Sequence, residues 1–84
     1  DWIAAQDPGA LEKILQRESR AQLLEAIASL PAAEAEVLRL RLEHDLKFRE
    51  IAEITHAPLN TVLGRMRNGC HRLRTILTDL EFSR

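Results

Sequence analysis

Apolar residues recur every three or four positions along most of this chain, and the breaks in that rhythm divide it into helices. Leu11, Ile14 and Leu15 keep helical spacing behind Asp7-Pro8-Gly9, and a helix can begin near Pro8 because proline is tolerated in a first turn. The start is weak, and residues 1–18 read as a linker or loosely held N-terminal arm with an apolar patch at Trp2 and Ile3. Leu23, Leu24, Ala26, Ile27 and Leu30 predict an amphipathic helix over 19–29. Pro31 ends it and can open the next, in which Glu34 and Glu36 suit the positive end of the helix dipole. Val37, Leu38, Leu40 and Leu42 are that helix's apolar side, with Arg39 and Arg41 interleaved, and it stops near His44 or Asp45.

A short helix follows over 47–55, with Phe48, Ile51, Ala52 and Ile54 as its buried side. His56-Ala57-Pro58 breaks it: the residue before a proline is pushed out of the helical region, so His56 makes the turn. The last helix covers 59–80, with Leu59, Val62, Met66, Gly69, Leu73, Ile76 and Leu80 on one stripe. Asn60, Thr61, Gly64, Arg67, Asn68, His71, Arg72 and Thr75 fall on the far side. The pattern therefore predicts a small all-α domain of four helices over 19–84, preceded by the arm. Its last two helices have the proportions of a helix-turn-helix.

Charge sharpens this picture. The net charge of −1 argues against nucleic acid as a partner, but its distribution does not. Residues 1–30 and 31–57 each sum to −2, whereas residues 58–84 sum to +3, with no acidic side chain between Pro58 and Thr78. A basic terminal helix is ordinarily just a solvated face. Here the helix-turn-helix spacing and the acid-free run favour a surface built for an anion. In such motifs the second helix lies in the major groove and its N-terminal residues meet base edges. Asn60, Thr61, Arg65, Arg67, Asn68 and His71 carry suitable donors on a helix face free of bulky apolar groups. Arg72 and Arg74 lie further along, where only the backbone is within reach, and Lys47 and Arg49 start the preceding helix, where phosphate contacts are expected.

Other chemistry finds little support. The three histidines, His44, His56 and His71, are too scattered for a metal site, and Cys70 is the single cysteine, which fits a reducing cytoplasm. No glycine-rich phosphate loop or nucleophile triad stands out, so neither an enzyme nor a cofactor is expected. No apolar run approaches the roughly 18 residues of a membrane span. The chain begins at Asp1 and not at Met, which reads as a piece of something longer, and Trp2 reads as an anchor for the arm or a remnant of a linker.

One run of motifs is familiar as a set. Leu30-Pro31, Glu36-Val37-Leu38-Arg39-Leu40-Arg41, Glu50-Ile51-Ala52-Glu53-Ile54, Pro58, Thr61-Val62, Arg65-Met66 and the basic tail to Leu77 follow one another without gaps. Over roughly residues 19–80 the chain resembles domain four of bacterial sigma factors, most of all the extracytoplasmic-function group. The resemblance implies recognition of the −35 promoter element by the second helix of the helix-turn-helix. It also implies binding to the RNA polymerase core through the β-subunit flap, and an anti-sigma factor as a further partner. Residues 1–18 would then end the linker from a preceding sigma domain.

The chain departs from that family's pattern at five places. Lys47 stands where a small hydroxyl residue caps the helix, and His56 where glycine makes the turn. In the recognition helix Leu63 replaces a basic residue, Gly64 a serine and Asn68 an arginine, which leaves Arg65 and Arg67 as the strongest donors. Leu63 either packs or touches a thymine methyl. Two other readings stay open: a sigma-like module that binds an anti-sigma factor without reading DNA, and a LuxR-type regulator domain.

Overall fold

The computed structural model describes the backbone of residues 9–82 and the side chains of residues 9–80. Five helices form among them: α1 (Ala10–Arg17), α2 (Arg20–Ile27), α3 (Ala32–His44), α4 (Phe48–Thr55) and α5 (Leu59–Phe82). The expectation of four helices behind an arm is corrected by α1. The helical rhythm at Leu11 and Ile14 does not run on into α2, because Glu18 (φ −121°, ψ 150°) and Ser19 (φ −69°, ψ 157°) are extended. Ser19 then caps α2: its Oγ accepts from the Gln22 N–H at 3.2 Å, and Gln22 Oε1 accepts from the Ser19 N–H at 3.1 Å. This reciprocal box satisfies two N–H groups that a helix start leaves unpaired.

Leu11 and Ile14 are both buried in the common core, which is why residues 10–17 are a helix and not a loose arm. Burying two such side chains contributes roughly 1.5–3 kcal/mol each, which offsets part of the cost of ordering a short helix. The patch at Trp2 and Ile3 lies outside the described residues.

α5 is the axis of the domain. Its 24 residues span about 36 Å at 1.5 Å per residue, nearly the full 40 Å long dimension of the molecule. It packs against each of the other four helices, most extensively against α3. Leu23, Ile27, Val37, Leu38, Ile51, Val62 and Leu73 form the centre of the core, and no polar or charged residue is fully buried among the described residues. α3 comes closest where α5 has no side chain. A Cβ placed on Gly69 would lie 2.9 Å from Leu38 Cδ1 and 3.3 Å from Leu38 Cγ.

The helix ends are tied to one another through α3. Arg20 of α2 donates to the Leu42 carbonyl in the last turn of α3, where carbonyls lack intrahelical partners. Arg41 donates to the Leu46 carbonyl at 2.8 Å, pairs with Glu12 of α1 at 3.3 Å and stacks 5.1 Å from the centroid of the Phe48 ring. One guanidinium thus touches α1, the α3–α4 connection and α4.

Two expected core residues are not in the core. Ile54 is 53% exposed, because α4 presents only Ile51 fully to α5, with Phe48 and Ala52 partly covered. Leu80 shares the direction of the α5 stripe but is 51% exposed, since the helix extends past the elements that cover Leu73 and Ile76.

Three substitutions separate these packing arguments. Leu11→Ala is expected to cost about 2–5 kcal/mol in a urea melt, whereas an undocked arm would lose nothing. Gly69→Leu should lower the midpoint of a thermal melt by several degrees, because overpacking costs roughly 1–3 kcal/mol. Gly64→Ala, where an added Cβ meets nothing within 4 Å, should raise stability by about 0.5–1 kcal/mol through helix propensity.

Candidate nucleic-acid interface

The candidate surface begins at α4. Lys47 is the residue before the helix and has no acceptor atom to offer the first-turn N–H groups. Glu50 supplies the other half of a capping box, accepting from the Lys47 N–H at 2.8 Å. The Glu50 carboxylate therefore already holds one of the donors at this helix start. The side chains of Lys47 and Arg49, both exposed, are what remains for a phosphate.

α4 ends on His56 in the left-handed region (φ 55°, ψ 38°), the turn that His56-Ala57-Pro58 predicts. The Ala57 N–H reaches the Ala52 carbonyl at 3.1 Å and the His56 N–H the Glu53 carbonyl at 3.3 Å. This is the double-bonded termination that usually uses glycine at the left-handed position. Histidine tolerates it better than most residues, at some strain. The Pro58 carbonyl accepts from the Val62 N–H at 3.1 Å and opens α5.

On α5, Asn60, Thr61, Arg67, Asn68, His71 and Arg72 are all exposed, and Arg65 is half-buried. At about 100° per residue they form two rows. Thr61, Arg65, Asn68 and Arg72 make one, and Asn60, Gly64, Arg67 and His71 the other. Arg65 and Arg67 point about 160° apart, so the two strongest donors flank the face and do not converge on one point. Gly64 leaves a gap between them. Leu63 is 2% exposed, so it packs and touches no ligand.

The flanks differ. Arg72 lies on the α3 side, its Nε 3.0 Å from Glu34 Oε1. Arg74 lies on the α1 side, in a cleft shared with Lys13, Arg17 and Glu18. Charge pattern alone does not reveal the second grouping, which depends on residues 10–17 being a helix; the helical spacing of Leu11 and Ile14 is the signal that points to it. Cys70 is buried, its Sγ 3.8 Å from Met66 Sδ, and His71 faces outward beside it. No cluster of His, Cys, Asp and Glu able to hold a metal occurs among the described residues. No helix among them is long and apolar enough to cross a membrane.

Residues 20–73 match the family model of sigma-70, region 4. Over 73 residues the chain is 33% identical to the ECF RNA polymerase sigma factor RpoE of Cereibacter sphaeroides, covering 87% of this chain and 40% of that protein. The chain thus spans about two-fifths of the length of this curated relative. No solved structure matches it. The family match begins at the first residue of α2, so α1 lies outside it.

The half-built cap at α4 can be completed. Lys47→Ser places a hydroxyl acceptor opposite Glu50 and should stabilise the domain by about 0.5–2 kcal/mol, read as a higher midpoint in urea.

Proposed function

Because this chain belongs to the sigma-70 region 4 family, we propose that it recognises the −35 element of promoter DNA, with α4 and α5 as its helix-turn-helix, within a larger RNA polymerase sigma factor. The observation that carries the reading is the solvent face of α5. Over its first four turns that face offers Asn60, Thr61, Arg65, Arg67, Asn68 and His71, with no acidic side chain and with Gly64 open at its centre. A major groove about 12 Å wide accepts a helix presented this way. Arg65 and Arg67 face opposite sides of it, so each reads a different base or the adjoining backbone. Lys47 and Arg49 at the start of α4 contact phosphates and set the register.

Arg72 and Arg74, roughly 20 Å or more along α5 from Leu59, are backbone contacts in this reading. The RNA polymerase core, through its β-subunit flap, is the protein partner that the family implies, with an anti-sigma factor as a competitor for the same domain. The burial of Leu63 weakens the case for a module that has lost DNA readout. The residue there is buried, so its apolar character removes nothing from the exposed face. The family match favours the sigma reading over the LuxR type.

Mobility shift on promoter-like duplexes at low salt tests the proposal. Arg65→Ala and Arg67→Ala should each weaken specific binding by roughly 1–3 kcal/mol where the arginine pairs with guanine. Lys47→Ala and Arg49→Ala should weaken all duplexes alike and flatten the salt dependence. If the Arg65→Ala/Arg67→Ala double variant binds as well as the parent, the face is misassigned.

A further inference from the structure

We propose that Glu34 of α3 is a positioning residue that turns Arg72 of α5 toward a backbone phosphate of bound duplex DNA. The inference rests on the reading of α5 as the recognition helix. Glu34 Oε1 lies 3.0 Å from Arg72 Nε, with the Glu34 side chain 12% exposed and that of Arg72 57% exposed. That oxygen is shut off from solvent and receives no directed hydrogen bond, so the contact is a pairing of charges alone. A carboxylate oxygen desolvated in this way is costly, and a pair with one half-exposed partner returns little stability. The pair therefore does little for folding.

What it does is hold a charge in place. With its Nε 3.0 Å from the carboxylate, the guanidinium is kept beside α3 while the Arg72 side chain stays 57% exposed, so most of it remains open to solvent. The exposed part of a guanidinium is a planar fork that suits two oxygens of a phosphate. The guanidinium then stands between Glu34 and the incoming anion, so the carboxylate orients it without meeting the phosphate directly. The backbone supports the same arrangement. Gly69 lets α3 approach so closely that Glu34 Cβ lies 3.5 Å from where a Cβ of residue 69 would be. Arg72 continues the row of Thr61, Arg65 and Asn68, beyond the reach of base edges, where the helix leaves the groove and meets the sugar–phosphate chain.

Fluorescence anisotropy of a labelled promoter-like duplex, titrated with the 84-residue chain at several salt concentrations, tests this. Glu34→Gln keeps the side chain's size and removes its charge. It should weaken binding about three- to tenfold, a coupling of the size seen between contacting groups, while the thermal midpoint stays within a few degrees of the parent. Arg72→Ala should weaken binding and lower the salt slope by about one phosphate. Glu34→Gln should have no further effect in the Arg72→Ala background. Arg72→Lys, a point charge without the fork, should bind less tightly than the parent and be equally insensitive to Glu34→Gln. Binding by Glu34→Gln equal to or tighter than the parent overturns the inference, as do additive losses in the double variant, which mark a merely structural role. Absence of binding by the parent chain to any duplex at low salt overturns the recognition reading itself.

Discussion

Everything in this domain depends on how near α3 can come to α5. The absence of a side chain at Gly69 lets Leu38 sit against the α5 backbone, and two helices that share the largest interface thereby lock in one register. From that contact the remaining geometry follows in order. Glu34, one turn before Leu38 on α3, is carried to Arg72. Arg41, one turn after Leu38 at the other end, is carried to Glu12, Leu46 and Phe48, and so fixes where α1 and α4 attach. The outward face of α5 is whatever these four neighbours leave uncovered. A larger residue at position 69 would push α3 away and shift all of these attachments together, since interiors packed at crystal density pass displacements on and do not absorb them.

Most of the helical plan was legible in the order of residues, for reasons that can be named. Leu23, Ala26 and Ile27 mark a face, Pro31 can only end one helix and start another, and His56-Ala57-Pro58 admits a single turn. The misreadings share a cause: periodicity reports the direction of a side chain but not what stands opposite it. Leu80 points along the buried stripe yet lies beyond its cover, and Ile54 sits on an apolar spacing that α4 does not turn inward. Leu63 lies off the α5 stripe and is buried all the same, which spacing alone does not show. The signal for α1 is faint because Leu11, Ile14 and Leu15 stand directly behind Pro8 and Gly9.

The basic face was legible in kind but not in arrangement. The acid-free run marks which helix carries it, and the charges that mask it in the overall sum are used in structure elsewhere. Glu50 holds the start of α4, Glu12 anchors Arg41, and Glu34 pairs with Arg72. No spacing rule connects Glu34 to Arg72, since they meet only through the tertiary approach at Gly69. Likewise the divergence of Arg65 and Arg67 follows from helix geometry, but its meaning depends on knowing which arc the other helices cover.

The mounting of α4 has a thermodynamic consequence. This helix has one fully buried side chain, a start capped from one side only, and an end held in a left-handed turn by a histidine. Few anchors hold it beside the basic face, and local opening favours such elements. In the proposed complex, a duplex gripped at once by Lys47 and Arg49 on α4 and by the face of α5 would bind only the closed arrangement, and would stabilise it in proportion to the logarithm of its concentration over its dissociation constant. Occupancy of the nucleic acid and integrity of α4 are then one equilibrium observed from two ends.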